Sequence, residues 1–197
     1  MNLLAIRDEC RTQTGDTKKP YFWSDEWFDA RINDAETEAC IRGRLIEDAS
    51  SIASSIDITT TEKRYALHES VIDVLSCSLA SDPDVAISGW TLTETELLLE
   101  DYPTADDTLL MTIIRKPLEA MAKDDDEPEI RGHHHIHLVD WVKHCAYLVQ
   151  DADGFDPQAA ERSLDLFESY FGARHTANVL RKHKEKTGRV VSMGSGW

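Results

Sequence analysis

The sequence predicts a mainly α-helical fold (α+β): a helical bundle with a small β-rich insertion in its middle and an extended C-terminal arm. Apolar residues recur at helical spacing toward both ends of the chain, and β-branched residues cluster in the middle. Charge divides sharply near residue 174. We therefore expect a body over residues 1–173, with the β-rich insertion at about 56–117, and an arm over 174–197.

Two helices are predicted before the insertion. Residues 3–13 suit a short first helix, followed by the linker "TGDTKKP". A second helix is predicted from about Asp25 to Asp48, because Ser24 is a good N-cap and acidic residues follow it in the first turn. Trp23 and Phe28 have the spacing of a hydrophobic staple. One apolar stripe continues along this helix: Phe28, Ile32, Ala35 and Ala39.

The middle of the chain favours strands in two segments, "SVIDVLSCSLAS" at 70–81 and "TLLMTIIRKPL" at 108–118. In the first segment, one face is predicted from residues at period two: Val71, Leu75, Cys77 and Leu79. Between the two segments, Thr93 and Glu96 have the spacing of a capping box. This spacing predicts a short helix in "TELLLEDYP".

Two more helices are predicted after the insertion. The segment "HIHLVDWVKHCAYLVQDA" has an apolar face too wide for a surface helix, which predicts a central helix covered on more than one side. That face consists of Leu138, Trp141, Val142, Cys145, Leu148 and Val149. The last helix, "PQAAERSLDLFESYFG", is predicted to begin after the N-cap Asp156 and to stop at Gly172.

Composition narrows the class of protein. The net charge is -16, of which residues 174–197 contribute +5, so the body carries -21 and would repel DNA phosphates. No apolar run approaches the ~20 residues of a membrane span, and the start lacks the pattern of a signal peptide. The four cysteines are scattered without a CxxC pair, which indicates reduced thiols in a cytoplasmic context.

The sequence offers no sign of an enzyme. GxSxG, P-loop and GxGxxG motifs are absent, so we expect no catalytic residue, cofactor or metal. The segment "GHHHIH" is the one tempting feature, but on a helix only the pairs His133/His137 and His134/His137 could share an ion, with Asp140 as an unsupported third ligand. We interpret these histidines, with His135, as a polar helix start that is exposed or lies at a subunit contact.

The arm suits binding to another protein. It contains six basic residues and one acid. Its segment "RVVSM" is short and β-prone, a kind of segment that adds a strand to a partner's sheet or fills a groove. The terminal "GSGW" has the alternative interpretation of a cloning remnant.

Three segments together resemble a known family. They are "WSDEWFDARINDAETEACIRGRLIED", "YALHESVIDVLSCSLAS" and "HLVDWVKHCAYLVQDADGFDPQAAERSLDLFESYFG", within roughly residues 20–180. In this order they resemble the head-to-tail adaptor (connector) proteins of tailed bacteriophages.

The resemblance implies a structural virion protein of the phage neck, made in the host cytoplasm and not bound to a membrane. Twelve copies would form a ring beneath the dodecameric portal protein, receive the next tail, nozzle or head-closure protein below, and line a channel for double-stranded DNA without reading its sequence. Our hypothesis assigns portal docking to the arm. The residues concerned are Arg181, Lys182, Lys184, Lys186, Arg189, Val190, Val191 and Trp197.

Three alternatives remain open at this point. The chain could be another neck protein, for head closure or tail completion. It could be a metal-dependent enzyme that uses the His133–His137 cluster. It could also be a soluble acidic regulator of basic partners, in which the body would be functional and the arm dispensable.

Overall fold

The computed structural model describes residues 1–150 and 154–174, which fall into two compact units. The first unit consists of Met1–Ile46 and Lys116–Arg174 and contains the α-helices. The second consists of Glu47–Arg115 and contains the strands, the first of which begins at the boundary. No helix in the described part of the chain is long and apolar enough to cross a bilayer.

The helical unit is organised around its third helix. Its elements are α1 (Leu3–Thr14), α2 (Asp25–Gly43), a 3-10 helix (Gly132–His137), α3 (Leu138–Tyr147) and α4 (Pro157–Phe171). Helix α3 packs against α1, α2 and α4, which confirms the prediction of a central helix covered on more than one side. The buried side chains of this unit include Leu3, Ile6, Phe28, Ile32, Leu138, Val142 and Phe167.

Local capping signals were predicted correctly. The Ser24 hydroxyl accepts the Trp27 N–H at the start of α2, at 3.2 Å, and Trp23 packs edge-on against Phe28. At α4, Asp156 accepts two backbone N–H groups, and the Gly172 N–H closes the last turn. These features depend on a few adjacent residues, which is why sequence reveals them.

The predicted end of α2 at Asp48 is wrong. The helix ends at Gly43 because Arg44 adopts a left-handed conformation, with φ 52°. Its N–H bonds to the Cys40 carbonyl, at 2.9 Å, as in a helix C-cap. The chain then enters a strand.

The second unit is an antiparallel β structure. Its strands are β1 (Ile46–Asp48), β2 (Ser55–Ile58), β3 (Arg64–Ala66), β4 (Val71–Leu79), β5 (Asp82–Ala86), β6 (Trp90–Leu92), β7 (Glu96–Leu99) and β8 (Asp107–Arg115). One sheet has the order β1-β8-β4-β5, with β2 also paired to β8, and the other has the order β3-β7-β6. The buried side of this unit includes Tyr65, Val74, Leu97, Leu109, Met111 and Ile113.

The predicted fold class, a mainly α-helical bundle, is therefore wrong. The described residues form four α-helices together with eight strands in two antiparallel sheets. Three of the strands, β1, β3 and β6, have only three residues each, and β5 is exposed at every position. Strands of three residues are too short to show an alternating pattern, and an exposed strand has no apolar face, so the sequence signal for them is weak.

The predicted helix after Thr93 is also wrong. The Glu96 N–H does bond to the Thr93 hydroxyl, at 2.9 Å, as in a capping box. The Thr93 N–H, however, bonds to the Glu96 carbonyl, at 2.8 Å, which closes a hairpin between β6 and β7. Leu97 then pairs with Leu92 across the hairpin.

Strand β4 was predicted in place, but not its buried face. Its pairing with β8 shifts register between Val71 and Asp73 and again between Val74 and Ser76. Each irregularity changes which side chains point inward. Val74 and Cys77 are buried, while Leu75 is 46% exposed.

Candidate functional site

The predicted docking residues lie outside the described part of the chain. All eight, from Arg181 to Trp197, follow the last described residue, Arg174. Their assignment stays a prediction. What the structure does describe is the point at which the arm leaves the helical unit, after α4 ends at Phe171.

Arg42 of α2 fixes this exit point. Its guanidinium bonds to Glu38 one turn earlier, at 3.1 Å, and to Glu168 of α4, at 2.8 Å. Its side chain is only 4% exposed. The group also lies 5.3 Å from the ring centroids of Trp141 and Phe167. One cation thereby ties together α2, α3 and α4.

The first arm residue joins the same network. The Arg174 guanidinium lies 3.1 Å from the Glu38 carboxylate, which also contacts Arg42. We call Glu38, Arg42, Glu168 and Arg174 the arm root. The arm root ties Arg174, the first residue of the predicted arm, to helix α2. No sequence pattern indicates it, because Arg42 and Glu168 are 126 residues apart.

The histidine cluster divides into a buried and a surface part. His135 is 2% exposed, so the expectation of an exposed or subunit-contact position is wrong for this residue. Its Nε2 lies 2.9 Å from the Ile130 carbonyl, to which it donates, and its Nδ1 lies 2.8 Å from the ammonium group of Met1. His135 therefore holds the loop before the 3-10 helix onto the start of the chain.

The surface part packs on α4. The His137 ring stacks on Tyr170, with ring centroids 3.5 Å apart, and His134 Nδ1 lies 3.2 Å from the Tyr170 hydroxyl. Burial lowers the pKa of His134, and the neighbouring histidines lower it further. His133 is exposed and contacts His134. The surface histidines thus form an aromatic cluster.

This arrangement gives no support to the metal-dependent alternative. Within residues 1–150 and 154–174, no group of three or more histidine, cysteine, aspartate or glutamate side chains is placed to hold a metal ion. His134 and His137 contact Tyr170, and His135 contacts the backbone.

The four cysteines form no disulfide, and burial raises the pKa of the Cys77 thiol to about 12. A thiol with so high a pKa is unreactive.

A short loop between α1 and α2, residues 16–23, presents aromatic side chains to solvent. We call it the aromatic loop. Tyr21 is 39% exposed and Phe22 is 52% exposed, and Lys18 and Lys19 are exposed beside them. Residues 16–20 of this loop belong to the predicted linker "TGDTKKP". Its order depends on Arg11 of α1, a long-range partner that the linker composition does not reveal.

A second loop, residues 119–129, is strongly acidic. We call it the acidic loop; it contains six acidic residues and one lysine. It is held by Glu36 of α2, which is 2% exposed and whose carboxylate accepts the Ile130 N–H at 3.3 Å. Burial raises the pKa of Glu36 to about 7.

The β unit is more acidic for its size than the helical unit. Residues 47–115 contain 14 acidic and three basic residues, a net charge of -11. One of the three cations, Arg115, is buried and pairs with Asp48, at 2.6 Å. The outer surface of this unit therefore repels phosphates and attracts basic partners.

The aromatic loop and the acidic surfaces are typical of a protein that binds other proteins. Within the described residues, charged and aromatic side chains are exposed on ordered loops, and no metal site is formed. A family model described as "SU10 adaptor protein" matches residues 1–191. The chain belongs to the SU10 adaptor protein family, and the predicted resemblance to phage head-to-tail adaptors is confirmed. A search of curated proteins finds no match.

Family membership makes the chain a structural adaptor of bacteriophages. The family match is longer than the region of roughly residues 20–180 in which the three resembling segments lie. It includes α1, the aromatic loop and most of the arm.

Proposed function

We propose that the chain is a head-to-tail adaptor of the phage neck, which forms a ring beneath the portal protein and links it to the tail. The proposal is supported chiefly by the family match over residues 1–191, together with the basic arm on an acidic body. Twelve copies would match a dodecameric portal. A nozzle or head-closure protein would bind on the far side of the ring.

The arm is the proposed portal clasp. Its cations Arg181, Lys182, Lys184 and Lys186 would meet an acidic portal surface, with Arg189 beside them. Val190 and Val191 would add buried apolar area, and Trp197 is of a residue type enriched where binding energy is concentrated. The ion pair of Arg174 with Glu38 supports this role, because it holds the first residue of the proposed clasp against the helical unit.

The acidic body suits the passage of DNA. Residues 1–173 carry -21, of which -11 belongs to residues 47–115. A channel wall of this sign repels phosphates, so DNA would slide through it rather than bind. The proposal therefore has no sequence-specific DNA contact and no catalytic residue.

The arm assignment is tested by neutralising its charge. Replacing Arg181, Lys182, Lys184 and Lys186 by glutamine should weaken binding to portal rings by at least about tenfold, because several charge-assisted contacts disappear. The matched control replaces Lys63, Arg64, Arg131 and Arg162 by glutamine, which changes the net charge equally. Affinity is measured on surface-immobilised portal rings at two salt concentrations. Equal binding by both variants would exclude the arm cations as the portal contact.

A further inference from the structure

We propose that the aromatic loop of one copy docks onto the acidic loop of the next copy. The two loops lie at opposite ends of α1, so each copy would offer one surface to each neighbour. This inference rests on the proposed function, in which copies form a ring, and names the surfaces that make the ring.

The aromatic loop is held in a fixed shape by a buried ion pair. Arg11 of α1 lies 2.6 Å from Asp16, and the two side chains are 7% and 5% exposed. Asp16 also accepts the backbone N–H groups of Phe22, at 2.7 Å, and of Trp23, at 3.3 Å. The Arg11 guanidinium then lies 3.8 Å from the Tyr21 ring. Binding would cost little ordering entropy, because the loop is already in place.

The side chains that this loop presents are those that anchor protein interfaces. Phe22 is 52% exposed although its ring packs against buried Trp23, with centroids 4.7 Å apart. Tyr21 is exposed beside it, and Lys19 lies 5.5 Å from the Tyr21 ring centroid. Aromatic residues are enriched at the centres of interfaces, with charged residues around them. Lys18 and Lys19 would form that charged border.

The acidic loop is equally fixed, and its charge is complementary. The Asn33 side chain of α2 both donates to the Met121 carbonyl, at 3.0 Å, and accepts the Met121 N–H, at 2.8 Å. The Asp126 carboxylate caps the backbone N–H groups of Ala122 and Lys123. Asp125 and Glu127 remain exposed. The acidic loop lies within residues 116–131, which join β8 to the 3-10 helix without regular secondary structure. Ordered connections of this length are uncommon and are usually functional.

Helix α1 separates the two loops. At its start, the Leu3 and Leu4 N–H groups bond to the carbonyls of Asp126 and Asp124. At its last turn, Arg11 holds the aromatic loop. A helix of 12 residues spans about 18 Å. Two different surfaces on one chain make a head-to-tail contact, which generates a ring when the rotation closes.

Charge decides between a second copy and DNA as the partner. A body of -21 repels DNA phosphates, and two lysines do not reverse that field. The acidic loop of another copy carries -5 and attracts the same two lysines. A second copy is therefore the partner that fits, and DNA contact becomes an outcome that the experiment can detect.

A charge swap in the full-length chain tests this contact. K18E/K19E and D125K/E127K each place like charges across the proposed interface, so each should weaken assembly by about tenfold or more. The chain that carries all four changes restores opposite charges and should assemble within about threefold of the wild type. K63E/R64E is the matched control and should assemble normally. Assembly is measured by analytical ultracentrifugation and native mass spectrometry, retention of double-stranded DNA by gel shift, and folding by circular dichroism.

The outcomes separate this inference from the proposed function. Suppose that the wild type assembles and binds portal rings. If neither K18E/K19E nor D125K/E127K weakens assembly, or if the chain with all four changes does not recover it, the proposed contact is wrong and the adaptor function is unaffected. If the two double variants lose assembly and the fourfold variant recovers it, but no chain binds portal rings, the contact is supported and the portal function is contradicted. If K18E/K19E reduces only the retention of DNA, the loop binds DNA and the contact is wrong. If the wild type does not self-associate, either alone or with portal rings, both the contact and the proposed ring are wrong.

Discussion

Glu36 is a buried acid that the fold holds against backbone N–H groups rather than against a cation. Its carboxylate accepts the Ile130 N–H, and burial raises its pKa from 4.5 to about 7. Because one pKa unit corresponds to about 1.4 kcal/mol, ionised Glu36 costs the folded state about 3 kcal/mol. The acidic loop is therefore anchored at a position sensitive to pH.

Glutamine at position 36 should remove this sensitivity. Below pH 4.5 the carboxyl group is protonated in the folded and unfolded states alike, so Glu36→Gln should change stability little. Between pH 4.5 and 7 only the unfolded chain releases the proton, so the wild type loses stability as the pH rises. At about pH 8 the variant should be more stable by about 3 kcal/mol, measured by urea denaturation.

A matched control for this prediction is Glu161→Gln, the same change at an exposed position of α4. The stability difference between this variant and the wild type should vary far less with pH than the difference for Glu36→Gln. A constant difference between Glu36→Gln and the wild type from pH 4.5 to about 8 would contradict the assignment of a raised pKa to Glu36.

Asp48 shows the opposite behaviour in the β unit. Burial alone would raise its pKa, but hydrogen bonds from Ser51, Ser50 and Arg115 outweigh burial and lower the pKa below the ordinary range of aspartate. Its carboxylate lies 2.6 Å from Arg115, and the two side chains are 8% and 10% exposed. The ionised form of Asp48 therefore stabilises the folded state.

Asparagine at position 48 should destabilise the chain by about 3–5 kcal/mol at about pH 7, because it removes a charged partner of a buried arginine. The stabilisation is present above about pH 4 and is lost as the pH falls through the lowered pKa of Asp48, so the difference should shrink in acid. Thermal denaturation at about pH 7 and about pH 3 measures this. Asp82→Asn, on the exposed strand β5, is the control; equal effects of the two changes would refute a special role for Asp48.

At the scale of elements, Arg42 connects three helices at the arm root. Replacing it by methionine keeps an apolar stem but leaves Glu38 and Glu168 without this cation. Since the Arg42 side chain is nearly buried, Arg42→Met should cost about 2–4 kcal/mol of stability.

Arg174→Gln gives the matched comparison on the same carboxylate. The Arg174 side chain is 60% exposed, so its ion pair with Glu38 should contribute less than about 1 kcal/mol. Urea denaturation of both variants measures the two losses. Similar losses would mean that Arg42 does not organise the arm root.

The helices and strands also show which structural features can be predicted from the sequence. Ser24, Asp156 and Gly172 set helix ends through contacts with nearby residues, and all three were predicted correctly. The hairpin at Thr93 uses the same hydrogen bond as a helix cap, and only pairing with β6 decides between them. The aromatic loop and the arm root could not be predicted, because they depend on hydrogen bonds of Arg11 and Arg42 to residues outside their own helical turns.

The whole molecule is an acidic adaptor with a basic arm. The charge distribution was evident from the sequence, and the family match confirms the resemblance that three sequence segments had indicated. The balance of helix and strand was not evident, because the short strands of the β unit gain stability by pairing with one another rather than from their own pattern. Function was thus easier to predict than fold class.

The most direct test of the account compares portal binding by the full-length chain and by residues 1–174, a truncation that keeps the Arg174–Glu38 ion pair. The partner is the portal ring of the same phage, and native mass spectrometry measures both affinity and copy number. We predict that only the full-length chain binds, and that it binds as a ring. Equal binding by the truncated chain would contradict the proposal that the arm is the portal clasp.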